Sequence, residues 1–374
     1  MQEPSLNENN FFGTKQNQLF AALAPDAFLK LKLDREVSQK ADRDEWGNWD
    51  GQFVKDQSSL RTPSIDTTYR HKDGYKWNVK HPFVVAITHD IDTINPFSFN
   101  EYFTRFRRTL SPVRKARIMA GFLKNKLKKS NQSWDFKAWI DTEKKYGFRS
   151  TWFIFPEKPN PWFEIDCTYS WNQIANWSSD EKIKFIDAIR RLSHDGFEIG
   201  LHGSYYSATD AETLRIQKDQ LSAALGKKIV SGRQHYLRYD PAKTPSVHEA
   251  AGFLNDSTLG MNRNVGFRAG TSFPFFSFNH QASRMSNVLQ VPLILQDGAL
   301  FGDYCLNLNF NDAKKLSLKL LDEVEAVNGV YTLLFHPDCQ TDNAKWDLFN
   351  VVLEECHRRG AWGATLSEIR SSWL

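Results

Sequence analysis

From residue 83 onward the chain alternates short apolar runs with longer segments whose apolar residues recur at helical spacing. The runs lie at 83–89, 150–155, 197–201, 228–232, 253–257, 288–293, 329–335 and 360–364. The helical patterns fill 134–146, 179–194, 209–225, 242–251, 311–327 and 343–359. Thr365-Leu-Ser-Glu368 has the form of a capping box and predicts a last short helix. Apolar strands separated by helices predict a parallel sheet with the helices packed outside it. The class is α/β, and the number of units suits a closed barrel better than an open sheet, although periodicity alone does not decide between them. Residues 1–80 break the alternation: they are polar, with one short apolar run at 20–33. They read as an N-terminal extension packed on a barrel domain over 81–374, not as a second core.

Four of the runs end in groups that carry chemistry. Phe83-Val-Val-Ala-Ile-Thr-His-Asp-Ile-Asp92 closes on two carboxylates. Side chains alternate along a strand, so Asp90 and Asp92 emerge on one face and His89 on the other. Carboxylates at a buried strand end are costly unless a metal, a proton or a substrate compensates them. The plain alternative is a solvated turn in which Asp92 caps a helix. A second run ends at His202, and imidazole with carboxylate suits Zn²⁺ or a similar divalent ion. A third reads Ser231-Gly-Arg-Gln-His235. There Arg233 can orient a carboxylate through a paired hydrogen bond, or only tie a loop to the sheet. His235 shares its face if the chain stays extended. The fourth ends at His336, a position from which a histidine can act as general acid. In a β/α barrel these C-terminal strand ends form one rim.

Composition narrows the setting. A chain of 374 residues accommodates one large α/β domain or two smaller ones. A net charge of +4 is too small to indicate a nucleic-acid partner. The aromatic share of 14% is high; part of it belongs to the core and part can form stacking platforms for sugar rings. Cys167, Cys305, Cys339 and Cys356 show no paired spacing and read as free thiols of a reducing compartment. The first residues lack the basic and apolar regions of a secretory signal, and no apolar stretch is long enough to span a membrane. A cytoplasmic location is the expectation. The segment 105–129 interleaves ten Lys and Arg residues with Phe106, Leu110, Ile118, Met119 and Phe122. It reads either as a basic surface for an anionic substrate or a peripheral membrane contact, or as an amphipathic helix with a solvated face.

In their order, these segments resemble the polysaccharide deacetylases, carbohydrate esterase family 4, over roughly 83–370, and the resemblance implies an irregular (β/α) barrel of about seven strands. Thr88–Asp92 resembles the family's first motif in its Asp-x-Asp form, and Ser150–Phe155 its second-strand segment. Glu198–His202 resembles the approach to a His-x-x-x-His metal motif, Gly232-Arg233 the arginine motif, and Leu334–His336 the final histidine motif. Asn255–Gly260 and Val265–Thr271 resemble segments of an uncharacterised branch. The resemblance implies Asp90 as general base, Arg233 as its orienting group and His336 as general acid. It also implies Asp92 and His202 as ligands of a divalent ion, with Zn²⁺ the first choice. The substrate it implies is an N-acylated carbohydrate. Tyr205, Tyr206 and Arg268 are the candidate substrate contacts.

One departure matters. Where the family has its second metal histidine, this chain has Tyr206. Catalytic zinc sites usually have three protein ligands. Either His235 supplies the third from the next strand, or Tyr206 or Ser204 ligates weakly, or the site has lost its metal and binds a glycan without hydrolysing it. The first is preferred, because His235 is otherwise an unexplained histidine at the rim. Three functions follow: an acyl-removing hydrolase, a glycan-binding protein without activity, or a hydrolase of another non-peptide C–N bond.

Overall fold

The computed structural model describes residues 57–68, 77, 80–95, 134–157, 166 and 169–374, with scattered positions between 106 and 123. Most of the expected extension over 1–80 and most of the basic segment 105–129 lie outside the described residues.

Among the described residues the main sheet has ten strands. They are β1 (Val84–Ile91), β2 (Thr151–Ile154), β5 (Glu198–Gly203), β6 (Ser231–Gln234), β7 (Asn255–Asp256), β8 (Phe275–Asn279), β9 (Arg284–Gln290), β10 (Leu295–Gln296), β11 (Val330–Leu334) and β12 (Trp362–Gly363). A separate hairpin pairs β3 (Ile174–Asn176) with β4 (Lys182–Lys184). The order β10-β11-β1-β2-β5-β6-β7-β9-β8 leaves the two end strands unpaired with each other, so the barrel is curled but incompletely closed. Every pairing in it is parallel except that of β8 with β9. β1 lies third in this order, between β11 and β2. One edge pairs Val84–Thr88 with Val330–Leu334; the other takes β12 at Val84–Val85 and then β2 at Thr88–Ile91.

The alternation along β1 explains both the core and the site. Val85, Ile87 and Ile91 belong to the large outer core between sheet and helices. Val84 and Ala86 belong to a smaller cluster with Phe153, Leu289, Val291 and Val330. Continuing by twos, Thr88, Asp90 and Asp92 share the face of Val84 and Ala86, so that face changes from apolar to acidic toward the C-terminal end. His89 lies on the opposite face, as its alternation requires. It is fully buried among Trp139, Trp152 and Phe349, with Nδ1 donating to Phe335 O at 2.7 Å and Nε2 2.8 Å from Glu143 Oε1.

The helices over the outer face are α2 (Phe136–Lys145), α3 (Phe185–His194), α4 (Ala211–Leu225), α5 (Thr244–Ala250), α6 (Asp297–Phe301), α7 (Phe310–Val327) and α8 (Asn343–Arg358); α1 (Ser64–Thr68) precedes the barrel, and α9 (Leu366–Trp373) packs Leu366, Ile369 and Trp373 into the smaller cluster with Val84 and Ala86. Side-chain caps fix several starts: Asp135 for α2, Asp210 for α4, Asn309 for α7 and Asp342 for α8. The capping box of Thr365 and Glu368 starts α9 as the sequence predicts. The pattern over 179–194 divides: its first part forms β4, and α3 starts only at Phe185. The expected strand at 228–232 is shifted to Ser231–Gln234. The segment 57–68 is docked on the barrel, where buried Asp66 accepts from Ser272 N at 2.7 Å and Ser272 Oγ at 2.9 Å.

Candidate metal centre and active site

Asp90 and Asp92 face His202. The imidazole Nε2 of His202 lies 3.7 Å from Asp90 Oδ2 and 3.4 Å from Asp92 Oδ1. Its Nδ1 donates to Arg233 O at 3.0 Å, which leaves Nε2 as the nitrogen turned to the carboxylates. One ring nitrogen of His235 completes a group with Asp92 and His202 in which all ligand atoms lie within 4.8 Å of one another. His235 Nδ1 is committed to Asp166 Oδ1 at 2.7 Å, so Nε2 is again the nitrogen left over. Phe155 packs against both imidazoles, at 4.4 Å from His202 and 4.9 Å from His235.

Arg233 and Asp90 form the second part. Arg233 is fully buried, and Nη1 donates to Asp90 Oδ1 at 2.9 Å and Thr88 Oγ1 at 2.7 Å. Nε and Nη2 donate to Ser257 O and Oγ, each at 2.9 Å. Phe153 lies under the guanidinium at 4.6 Å. This ring needs Gly200, since a Cβ there would stand 2.7 Å from it. The chain does not stay extended through His235. Residues 235–237 form a short 3₁₀ turn, with Tyr236 at φ 56° and Leu237 at φ 50°. Two consecutive left-handed residues that are not glycine mark a strained rim.

The third part is an Asp–His pair. His336 Nε2 lies 3.6 Å from Asp92 Oδ2, and its Nδ1 donates to Asp297 Oδ1 at 2.7 Å. Cys339 Sγ donates to the other oxygen of Asp297 at 2.6 Å, and Lys345 Nζ stands 4.0 Å from it.

These contacts set the charge states. Burial by itself lowers the pKa of His336, but the Asp297 charge and hydrogen bond, with Asp92 and Asp90, raise it to about 10. Burial by itself also lowers His202, while Asp90 and Asp92 bring it above its ordinary value. For Asp92 burial raises the pKa, yet contact with His202 and the charges of His235 and His336 hold it well below the carboxylate range. Asp297 is held low in the same way, by His336 and Lys345 against the effect of burial.

The donor set fits a divalent cation. Asp92 Oδ1 is sealed from solvent and accepts no hydrogen bond from the described residues, although the side chain as a whole is 38% exposed. His202 presents Nε2 beside it, and one ring nitrogen of His235 belongs to the same group. One carboxylate and two imidazoles with an open position are a common catalytic set.

Tyr206 is not part of this group. It is 69% exposed on the 3₁₀ turn Tyr205–Thr209, with its ring 5.2 Å from Tyr205. Tyr205 is buried, and Arg238 stacks on its ring at 4.3 Å. Arg268 is buried against Gly260, to whose carbonyl Nη1 donates at 2.7 Å, and stands 5.9 Å from the ring of Tyr239. Sequence reasoning missed Thr88, Ser257, Asp166, Asp297, Cys339 and Lys345. Only Asp297 had a signal: it closes the apolar run 291–295 as Asp90 closes the run of β1.

The sequence matches no protein-family profile and no curated protein. Solved structures resemble the fold. A Mycobacterium smegmatis protein described as a polysaccharide deacetylase overlaps with TM-score 0.52 at 18% identity, over 80% of this chain and 92% of that one. The Puue allantoinase overlaps with TM-score 0.52 at 12% identity, over 79% and 92%. A Pseudomonas aeruginosa PAO1 protein described as a polysaccharide deacetylase gives 0.49 at 14% identity, over 82% and 97%. The chain has the fold of the polysaccharide deacetylases. Among the described residues no helix is long and apolar enough to cross a membrane.

Proposed function

We propose that the protein is a metal-dependent hydrolase that removes an N-acetyl or other acyl group from a sugar of a surface polysaccharide or its precursor. The observation that carries this reading is the convergence of Asp92, His202 and His235 between a buried Asp90–Arg233 pair and the Asp297–His336 pair. Asp92, His202 and His235 would hold the cation, with Zn²⁺ favoured by the donor set. When bound, such an ion polarises a carbonyl and makes a water more acidic.

The chain's own residues do the rest. Asp90 takes a proton from the attacking water, with Arg233 holding its other oxygen in place. His336, fixed through Nδ1 by Asp297, presents Nε2 and gives a proton to the departing nitrogen. Amide and water become amine and carboxylate. Of the candidate substrate contacts Tyr205, Tyr206 and Arg268, exposed Tyr206 offers a ring face to a sugar, while Tyr205 and Arg268 are buried and would act only by supporting the surface. The division into an extension over 1–80 and a catalytic barrel over 81–374 belongs to this reading. So do a cytoplasmic location, which the buried thiols Cys339 and Cys356 suit, and a peripheral membrane contact through 105–129.

A second reading, hydrolysis of another non-peptide C–N bond, is favoured by the equal overlap with an allantoinase. Acetate release from N-acetylated oligosaccharides, beside ureide hydrolysis, separates the two. Chelator-sensitive acetate release is the expected result. Saturable glycan binding that survives chelation without any turnover would instead make this a glycan-binding protein.

A further inference from the structure

The reading above needs a third metal ligand at His235, and rests on it. His235 comes from a strained turn, not from a regular element, so something must hold its ring. We infer that Asp166 is the positioning residue of this ligand and that, with His235, it replaces the histidine missing at position 206.

Asp166 is 3% exposed. Its Oδ1 accepts from His235 Nδ1 at 2.7 Å and from Tyr205 N at 2.8 Å. The first bond fixes the tautomer with the proton on Nδ1 and frees Nε2 toward Asp92 and His202. A carboxylate behind a ligating imidazole also raises its basicity and locks its rotation. The second bond anchors the start of the turn that carries Tyr206 to the surface. One oxygen therefore holds His235 in the metal group and pins the turn on which Tyr206 points outward. His202 has only a neutral carbonyl, Arg233 O, behind its Nδ1, so the two imidazoles are supported differently. The carboxylate-backed one is the one that comes from the strained turn. Loss of Asp166 would release both the ring and the turn beside it.

The test measures metal binding to the full chain by competition with a chromophoric chelator, using Zn²⁺ and Co²⁺. The wild type should bind one equivalent, and Asp92→Ala should abolish it. Asp166→Asn can keep both hydrogen bonds but loses the charge, and should weaken binding about tenfold. Asp166→Ala should weaken it about a hundredfold, since such supporting groups are worth roughly 10–100-fold in affinity. The Co²⁺ ligand-field band should shift in both. A merely structural role would lower the melting temperature of the metal-free protein and leave that band unchanged in folded protein, which overturns the inference. So would wild-type affinity in both variants, with Asp92→Ala still metal-free. If the wild type binds no ion, the metal centre itself fails.

Discussion

Nε2 of His202 stands 3.4 Å from Oδ1 of Asp92, although the two residues come from strands with a third between them. The register explains the meeting. Asp90 pairs with Phe153, and Phe153 with Gly200, so the three form one row across the barrel. One alternation further, Asp92 and His202 rise together above that row on the same face.

In the proposed reading Asp90 and Asp92 would do different work, although both face His202. Asp90→Asn keeps the shape and a contact to Arg233 but cannot take a proton. Turnover should fall by about 10²–10⁴, the usual worth of a general base, with metal content unchanged. Parallel metal analysis and rate measurements check this. Loss of the metal along with activity would make Asp90 a ligand.

Arg233→Met leaves Asp90 buried without its cation. Removing one partner of a buried pair costs roughly 3–5 kcal/mol, and urea unfolding should record a loss of that order. Arg233→Lys should not rescue it. A single ammonium cannot reach Ser257 O, Ser257 Oγ, Thr88 and Asp90 together.

Gly200→Ala tests the row itself. The new methyl would meet Phe153, on which Arg233 stacks. Overpacking of this kind costs about 1–3 kcal/mol. Thermal denaturation should show the destabilisation, and Phe153→Leu in the same chain should relieve part of it.

The Asp297–His336 pair gives stability a pH dependence in the metal-free protein. His336 has a folded pKa raised to about 10, so its contribution is complete below the unfolded value of about 6.5 and fades as pH rises through 10. Asp297 is lowered, so its contribution is present above about 4 and fades as pH falls further. Asp297→Asn should therefore be most destabilising between these limits. Melting curves from pH 5 to 10 should converge with the wild type at the alkaline end; a constant offset would contradict the assignment.

The strand-end chemistry was legible because it rides on periodicity. The uniformly apolar run of β1 announces a buried strand, and its last alternating positions must face one way. His202 and His336 followed by the same logic. Arg233 was visible, but the strand that carries it ends at Gln234, so the condition that the chain stay extended through His235 is not met and a turn begins there. Asp166 was invisible because no strand or helix pattern leads to it, and its contacts to His235 and Tyr205 join positions far apart in the chain, which no local pattern records. His248 is similar: buried between Gln234 and Asp256, it belongs to a structural network that spacing does not announce. The β8–β9 hairpin escaped because β8 alternates buried and half-buried residues, unlike the uniformly apolar runs of the parallel strands.

The most direct test is anomalous diffraction at the zinc edge from crystals of the full chain equilibrated with Zn²⁺. One strong peak should lie in ligand contact with Asp92, His202 and His235, and should vanish in His235→Ala. No peak at that place, or an ion held with His235 outside coordination distance, would contradict the account.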